Sequence, residues 1–83
     1  MKLDNHSLYY YDTCPFCMRV LFAIKELNLE IELRNIQTNM EHRNELTQGG
    51  GNQMVPCLRI DKGGETQWMY ESLDIIDYLK NQV

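Results

Sequence analysis

The stretch Tyr10-Tyr11-Asp12-Thr13-Cys14-Pro15-Phe16-Cys17 decides the fold, because it places two cysteines three positions apart between two different patterns. The residues up to Tyr11 are rich in strand-forming side chains and predict a first strand at about Leu8–Tyr11. After the first cysteine, apolar residues recur every three or four positions and predict a helix at about Pro15–Asn28, with proline in its first turn. The cysteine pair therefore lies where a strand ends and a helix begins.

A cysteine at the start of a helix can be a reactive thiolate. Cys14 would meet the unpaired N–H groups and the positive dipole end of the helix, which favour a thiolate over a thiol. Cys17 lies one helical turn deeper and faces the same way, so it could close a disulfide with Cys14. A zinc site and two inert cysteines are the alternatives, but the other possible zinc ligands, Cys57, His6 and His42, are isolated from one another in the sequence. We therefore favour a redox pair and expect both histidines to be solvated.

The remaining patterns predict one α/β domain. We expect a strand at Glu30–Ile36, a short helix at Asn39–Leu46 stopped by Gln48 and the glycine run, a hairpin of Cys57–Asp61 and Thr66–Tyr70, and a last helix capped by Ser72 and ending near Lys80. The order is βαβαββα. A parallel βαβ unit joined by an antiparallel hairpin predicts a four-stranded mixed sheet packed by three helices.

Length and charge narrow the class of protein. The 83 residues, 43% of them hydrophobic, fit a single domain over residues 1–83 that folds without obligatory disulfides or metal. Twelve acidic residues against eight scattered basic ones give a net charge of −4, which disfavours nucleic acid as a partner.

No apolar run approaches the roughly 18–20 residues of a membrane span, and the first residues lack the apolar core of a signal peptide. Three cysteines, an odd number, argue against a secreted disulfide framework. We expect a soluble, cytoplasmic monomer with no membrane partner.

A second motif, Met54-Val55-Pro56-Cys57, directly precedes a predicted strand. Proline at a strand entry costs no ladder hydrogen bond, so an ordinary strand start explains it in isolation. The other interpretation is a cis proline that faces the dithiol and leaves the flanking backbone free to pair with an extended thiol substrate. Beside an N-terminal C-P-x-C motif we favour the cis proline. For Cys57 we favour a small buried filler over a regulatory or substrate-proximal thiol, which Pro56 would put close to the dithiol.

These motifs, together with Glu71-Ser72-Leu73-Asp74-Ile75-Ile76-Asp77-Tyr78-Leu79, resemble the glutaredoxins. The resemblance covers nearly the whole chain, and Glu71-Ser72 before an apolar helix is also similar to the N-terminal domain of glutathione transferases. It implies a thioredoxin-like fold and a glutathione-dependent dithiol oxidoreductase that reduces glutathione mixed disulfides and protein disulfides. In such an enzyme Cys14 would be the nucleophile and Cys17 the resolving thiol.

The resemblance also implies a glutathione site and no metal. Glutathione, the reducing co-substrate, would lie over Cys14, with the Val55 backbone pairing with its cysteinyl part. Its γ-glutamyl end would be held by Glu71 and Ser72, where a helix start with a free hydroxyl receives a carboxylate well. The other implied contacts are Tyr11, Pro15, Phe16, Met54 and Pro56. The protein partners would be glutathionylated or disulfide-bonded proteins.

Three positions depart from the family pattern, and two other functions stay open. Tyr11 stands where a Lys or Arg is common, Phe16 where Tyr is common, and Met54 where Thr is common. A thioredoxin-like carrier served by a reductase is one alternative, against which Phe16 and Glu71-Ser72 speak. An iron–sulfur carrier is the other, and Pro15 with the second cysteine speaks against it.

Overall fold

The computed structural model describes residues 1–83 and consists of a four-stranded sheet, three α-helices and one π-helical turn. The elements are β1 (Lys2–Tyr10), α1 (Pro15–Glu26), β2 (Glu30–Asn35), α2 (Met40–Glu45), a π-helical turn (Leu46–Gly50), β3 (Cys57–Lys62), β4 (Glu65–Met69) and α3 (Ser72–Lys80). The strand order is β2-β1-β3-β4; β1 and β2 are parallel, and the β1–β3 and β3–β4 pairs are antiparallel. The predicted βαβαββα order and mixed sheet are confirmed. None of the helices has both the length and the apolar character needed to cross a membrane.

The sheet separates two hydrophobic clusters, because successive side chains of a strand point to opposite faces. The larger cluster, which we call the helix-face core, joins the sheet to α1 and α3 and contains Leu3, Leu8, Val20, Ile24, Leu29, Leu58, Ile60, Ile75 and Leu79. The smaller cluster, the turn-face core, contains Tyr9, Ile36, Leu46 and Cys57 and lies under the π-helical turn. Neighbours such as Leu8 and Tyr9 thus serve different cores and fix β1 at the centre of the fold.

The first strand is longer than predicted. It begins at Lys2, where it pairs with Glu30, and its register with β2 shifts between Lys2 and Ser7. Asn5 has a positive φ of 64° within this irregular part. The interruption breaks the alternation of side chains from which a strand is recognised in sequence, so the pattern showed only the regular half.

His6 lies in this part of β1 and is buried, with 8% of its surface exposed. Its ring nitrogens lie 2.7 Å from the carbonyl oxygen of Asp4 and 2.8 Å from the hydroxyl of Tyr78 on α3. The expectation that His6 is solvated is therefore wrong. The polar neighbours in sequence did not show that α3 folds back over this residue.

The second helix also differs from its prediction, because it continues into the glycine run. The chain turns as a π-helix through Leu46–Gly50 and ends at Gly51, whose φ is 77°. A Cβ on Gly49 would collide with the indole of Trp68, and a Cβ on Gly50 would collide with the hydroxyl of Tyr70. These glycines are thus spacers that let the turn lie against β4 and the residue after it.

Candidate active site

Cys14 occupies the N-cap of α1, as the sequence predicts. Its backbone is extended (φ −89°, ψ 116°), and its Sγ accepts a hydrogen bond from the Cys17 N–H at 3.4 Å. Pro15 takes the first helical position, where no backbone donor is needed. Cys14 keeps 5% of its surface exposed while Cys17 keeps none, so of these two residues only Cys14 has any surface open to a substrate.

Cys17 differs from Cys14 in its electrostatic environment. Burial raises the pKa of the Cys17 thiol to about 12, and the hydrogen bond and charge of Cys14 act in the same direction. Two thiolates one helical turn apart would repel each other, so a negative charge on Cys14 would favour the protonated form of Cys17. This asymmetry is consistent with a nucleophile at Cys14 and with a Cys17 thiol that stays protonated until a later step.

The segment Asn52–Val55 faces Cys14 from the other side of the site. The Val55–Pro56 peptide bond is cis, as predicted, and the Val55 carbonyl oxygen lies 3.8 Å from Cys14 Sγ. No backbone-to-backbone hydrogen bond involves Asn52–Val55, since the preceding one ends at Gly51 and the sheet resumes at Cys57. Only the carbonyl oxygens of Asn52 and Val55 have contacts, with the Tyr70 hydroxyl and Cys14 Sγ, so the other polar backbone groups of this segment are open to an extended partner.

A groove of about 160 Å³ lies along this segment. Its lining residues are Phe16, Met54, Val55, Pro56, Tyr70, Glu71 and Ser72. The structure thus brings together the predicted residues from three separate parts of the chain. Phe16 and Met54 form an apolar rim, 55% and 54% exposed. Tyr70 is an addition that the motifs did not reveal, although it directly precedes Glu71.

The predicted cap of α3 is wrong by one residue. Glu71 is the N-cap, with an extended backbone (φ −80°, ψ 128°), and Ser72 is the first helical residue; no side chain caps this helix. A cap must have non-helical dihedrals, and Ser72 already has helical ones. Ser72 lines the groove, and its side chain makes no capping hydrogen bond.

Tyr11 lies beside Cys14 but outside this groove. The charge of the nearby Cys14 raises the pKa of the Tyr11 hydroxyl. Tyr11 lines a separate pocket of about 580 Å³ together with Ile36, Gln37, Met40, Arg43 and Gln53. Arg43 is the charged residue of that pocket, and its Nη2 donates to Gln53 Oε1 at 3.4 Å. The sequence did not predict these two residues, because neither belongs to a motif.

Cys57 is fully buried in the turn-face core. Burial raises the pKa of its thiol to about 12, an effect that the hydroxyl of Tyr70 and the backbone of Met69 partly offset. The prediction of a small buried filler fits this position. Neither here nor in the rest of the chain do three His, Cys, Asp or Glu side chains lie together in a way that could hold a metal ion.

Comparisons with known proteins place the chain in a family. The model of the glutathione S-transferase N-terminal domain matches residues 8–83. Glutaredoxin 2 of Escherichia coli strain K12 is 34% identical over 75 residues, covering 88% of this chain and 32% of that protein. The chain therefore spans about one third of the length of the curated relatives it matches.

Two solved structures extend this comparison. Glutaredoxin 2 from Salmonella typhimurium, solved in complex with glutathione, is 32% identical, with a TM-score of 0.67 over 93% of this chain and 33% of that one. A thioredoxin-like protein at 22% identity has a TM-score of 0.76 over 95% of this chain and 97% of its own, and it supports the fold alone. The thioredoxin-like fold and both parts of the sequence resemblance are confirmed. The chain belongs to the glutathione S-transferase N-terminal domain family.

Proposed function

We propose that this chain is a glutathione-dependent thiol–disulfide oxidoreductase in which Cys14 is the nucleophile. The observation that carries the proposal is the position of Cys14 at the N-cap of α1, opposite the segment Asn52–Val55, which makes no backbone-to-backbone hydrogen bond. A helix N-terminus stabilises a thiolate, and an open backbone edge can hold a peptide. The similarity to two glutaredoxins supports glutathione as the co-substrate.

The first half of the reaction transfers glutathione to the enzyme. The Cys14 thiolate attacks the glutathione sulfur of a glutathione–protein mixed disulfide, a Cys14–glutathione disulfide forms, and the protein leaves as a thiolate that takes up a proton. A second glutathione, as its thiolate, then attacks the bound glutathione sulfur. Oxidised glutathione leaves and the Cys14 thiolate is restored.

A protein disulfide follows a second route through Cys17. Cys14 first forms a mixed disulfide with one substrate sulfur while the other leaves as a thiol. The Cys17 thiol must then lose its proton and attack Cys14, which releases the substrate and closes a Cys14–Cys17 disulfide. Two glutathione molecules reduce this bond. Because the pKa of Cys17 is raised to about 12, this step is the more demanding one.

The groove offers matching groups for glutathione. We assign the Val55 backbone to the cysteinyl part, the Glu71 carboxylate to the ammonium group, and Ser72 with the first N–H groups of α3 to the γ-glutamyl carboxylate. Phe16 and Met54 cover the thiol from the rim, while Pro15 and Pro56 shape the walls. Tyr11, beside Cys14 but in the neighbouring pocket, is assigned to the remaining end of the tripeptide.

The test compares Cys14→Ser with Cys17→Ser on a small glutathione mixed disulfide, using glutathione, its reductase and NADPH. Cys14→Ser should reduce the rate to background, because the other two thiols, those of Cys17 and Cys57, are fully buried. Cys17→Ser should keep deglutathionylation but lose most reduction of protein disulfides. An inactive Cys17→Ser protein would favour a thioredoxin-like carrier, which must close its own disulfide to release every substrate.

A further inference from the structure

The segment that faces Cys14 is fastened to the fold by side chains rather than by backbone pairing. Residues Asn52–Val55 make no backbone-to-backbone hydrogen bond. Gln53 contacts Arg43 at the exposed surface, at 3.4 Å. The Tyr70 hydroxyl donates to the carbonyl oxygen of Asn52 at 3.3 Å, also at the exposed surface. The placement of the Val55 carbonyl near Cys14 thus depends on a few contacts outside the motifs.

Tyr70 is well placed to fix this segment. Its ring packs against the turn-face core and lines the groove directly before Glu71. Gly50 lies so close to its hydroxyl that no side chain fits between them, which limits where the hydroxyl can move. Asn52 in turn contacts Met54 through its side chain, Nδ2 to Sδ at 3.5 Å. The hydroxyl therefore connects the turn-face core to Asn52 and, through the Asn52 side chain, to the groove residue Met54.

We propose that Tyr70 is a positioning residue that holds Asn52–Val55 in place for substrate. The inference rests on the proposed function, since it assigns to Tyr70 the placement of the backbone edge that would bind glutathione. Tyr70 itself takes no part in sulfur exchange. Loss of its hydroxyl should therefore weaken substrate binding while the chemistry at Cys14 continues.

The test is Tyr70→Phe in the 83-residue chain, with Tyr78→Phe as the matched control. Phenylalanine keeps the ring that lines the groove and removes only the hydroxyl. Tyr78→Phe also loses one hydroxyl contact, the one to His6 at 2.8 Å, but on α3 away from the groove. With the mixed disulfide of glutathione and 2-mercaptoethanol, we expect Tyr70→Phe to raise KM about three- to tenfold, the range of one hydrogen bond, with kcat within twofold. Tyr78→Phe should leave KM within twofold of the parent value.

A readout independent of activity separates this inference from the proposed function. Backbone ¹⁵N order parameters of residues 52–55 should fall in Tyr70→Phe and stay unchanged in Tyr78→Phe. If the parent chain is inactive but the order of the segment falls, the proposed function is wrong and the positioning by Tyr70 stands. If order and KM are both unchanged in Tyr70→Phe, or if Tyr78→Phe alters them equally, the role of Tyr70 is overturned.

Discussion

At the scale of single residues, the three cysteines differ because their surroundings differ. Cys14 keeps a small exposed surface and lies beside the Val55 carbonyl, whereas Cys17 and Cys57 are fully buried. Burial raises the pKa of each of these two thiols to about 12, and unfolding would return them to roughly 8.5. The folded state therefore binds more protons than the unfolded state above about pH 8.5, and stability present below that pH is lost as the pH rises towards 12.

The corresponding prediction concerns Cys57→Ala. Between pH 9 and 10 each buried thiol should lower the free energy of unfolding by on the order of 1 kcal/mol per pH unit. Urea unfolding of the reduced parent and of Cys57→Ala at several pH values should give a shallower slope for the variant. All other titrating groups are present in both proteins, and Tyr70, whose pKa burial and the neighbouring Cys57 raise, would change the slope in the same direction. Equal slopes would therefore show that Cys57 is not protected by burial.

The residues of the site were predictable to the degree that they belong to contiguous motifs. Cys14 and Cys17 follow from a strand-to-helix junction, and Val55 with Pro56 from a proline at a strand entry. Tyr70 follows the hairpin, and Arg43 lies on α2 beside the neighbouring pocket, so no local pattern marks them. The N-cap of α3 was predicted at Ser72 instead of Glu71, because a cap is defined by backbone dihedrals, which residue type alone does not determine.

At the scale of elements, the π-helical turn packs closely against Trp68 and Tyr70 because Gly49 and Gly50 have no side chains. A Cβ at Gly50 would meet the Tyr70 hydroxyl first and the ring only afterwards, with Tyr70 Cζ at 3.1 Å. Helix two was predicted to stop at the glycines, which break helices in isolation. Here the chain continues from α2 into the π-helical turn as far as Gly50, because glycine at positions 49 and 50 lets the turn approach Trp68 and Tyr70 closely.

A double-mutant cycle of Gly50→Ala and Tyr70→Phe tests this fit. Gly50→Ala should lower the free energy of unfolding by about 1–3 kcal/mol, the usual cost of overpacking. In a Tyr70→Phe background the same substitution should cost at least about 1 kcal/mol less, because the hydroxyl that it strikes is gone. Urea unfolding measures both steps. Additive costs would mean that the turn shifts away from Tyr70 instead of packing on it.

At the scale of the whole molecule, the two cores share one sheet. Leu8 and Leu58 face α1 and α3, while their neighbours Tyr9 and Cys57 face the π-helical turn. β1 lies between β2 and β3 and contributes to both cores. Because the central strands cannot leave one core and keep the other, we expect a single cooperative unfolding transition, independent of protein concentration.

A matched pair of substitutions tests this coupling. Ile75→Val trims the helix-face core and Ile36→Val the turn-face core, and each should lower the free energy of unfolding by about 0.5–1.5 kcal/mol. Trp68, the one tryptophan, packs on the turn-face core, so its fluorescence reports that face, while far-UV circular dichroism is dominated by the helices. Each variant should shift both signals to the same urea midpoint. If Ile36→Val moved only the fluorescence transition, the two faces of the sheet would unfold separately. The turn-face core could then open while α1, the helix that begins beside Cys14, stayed folded.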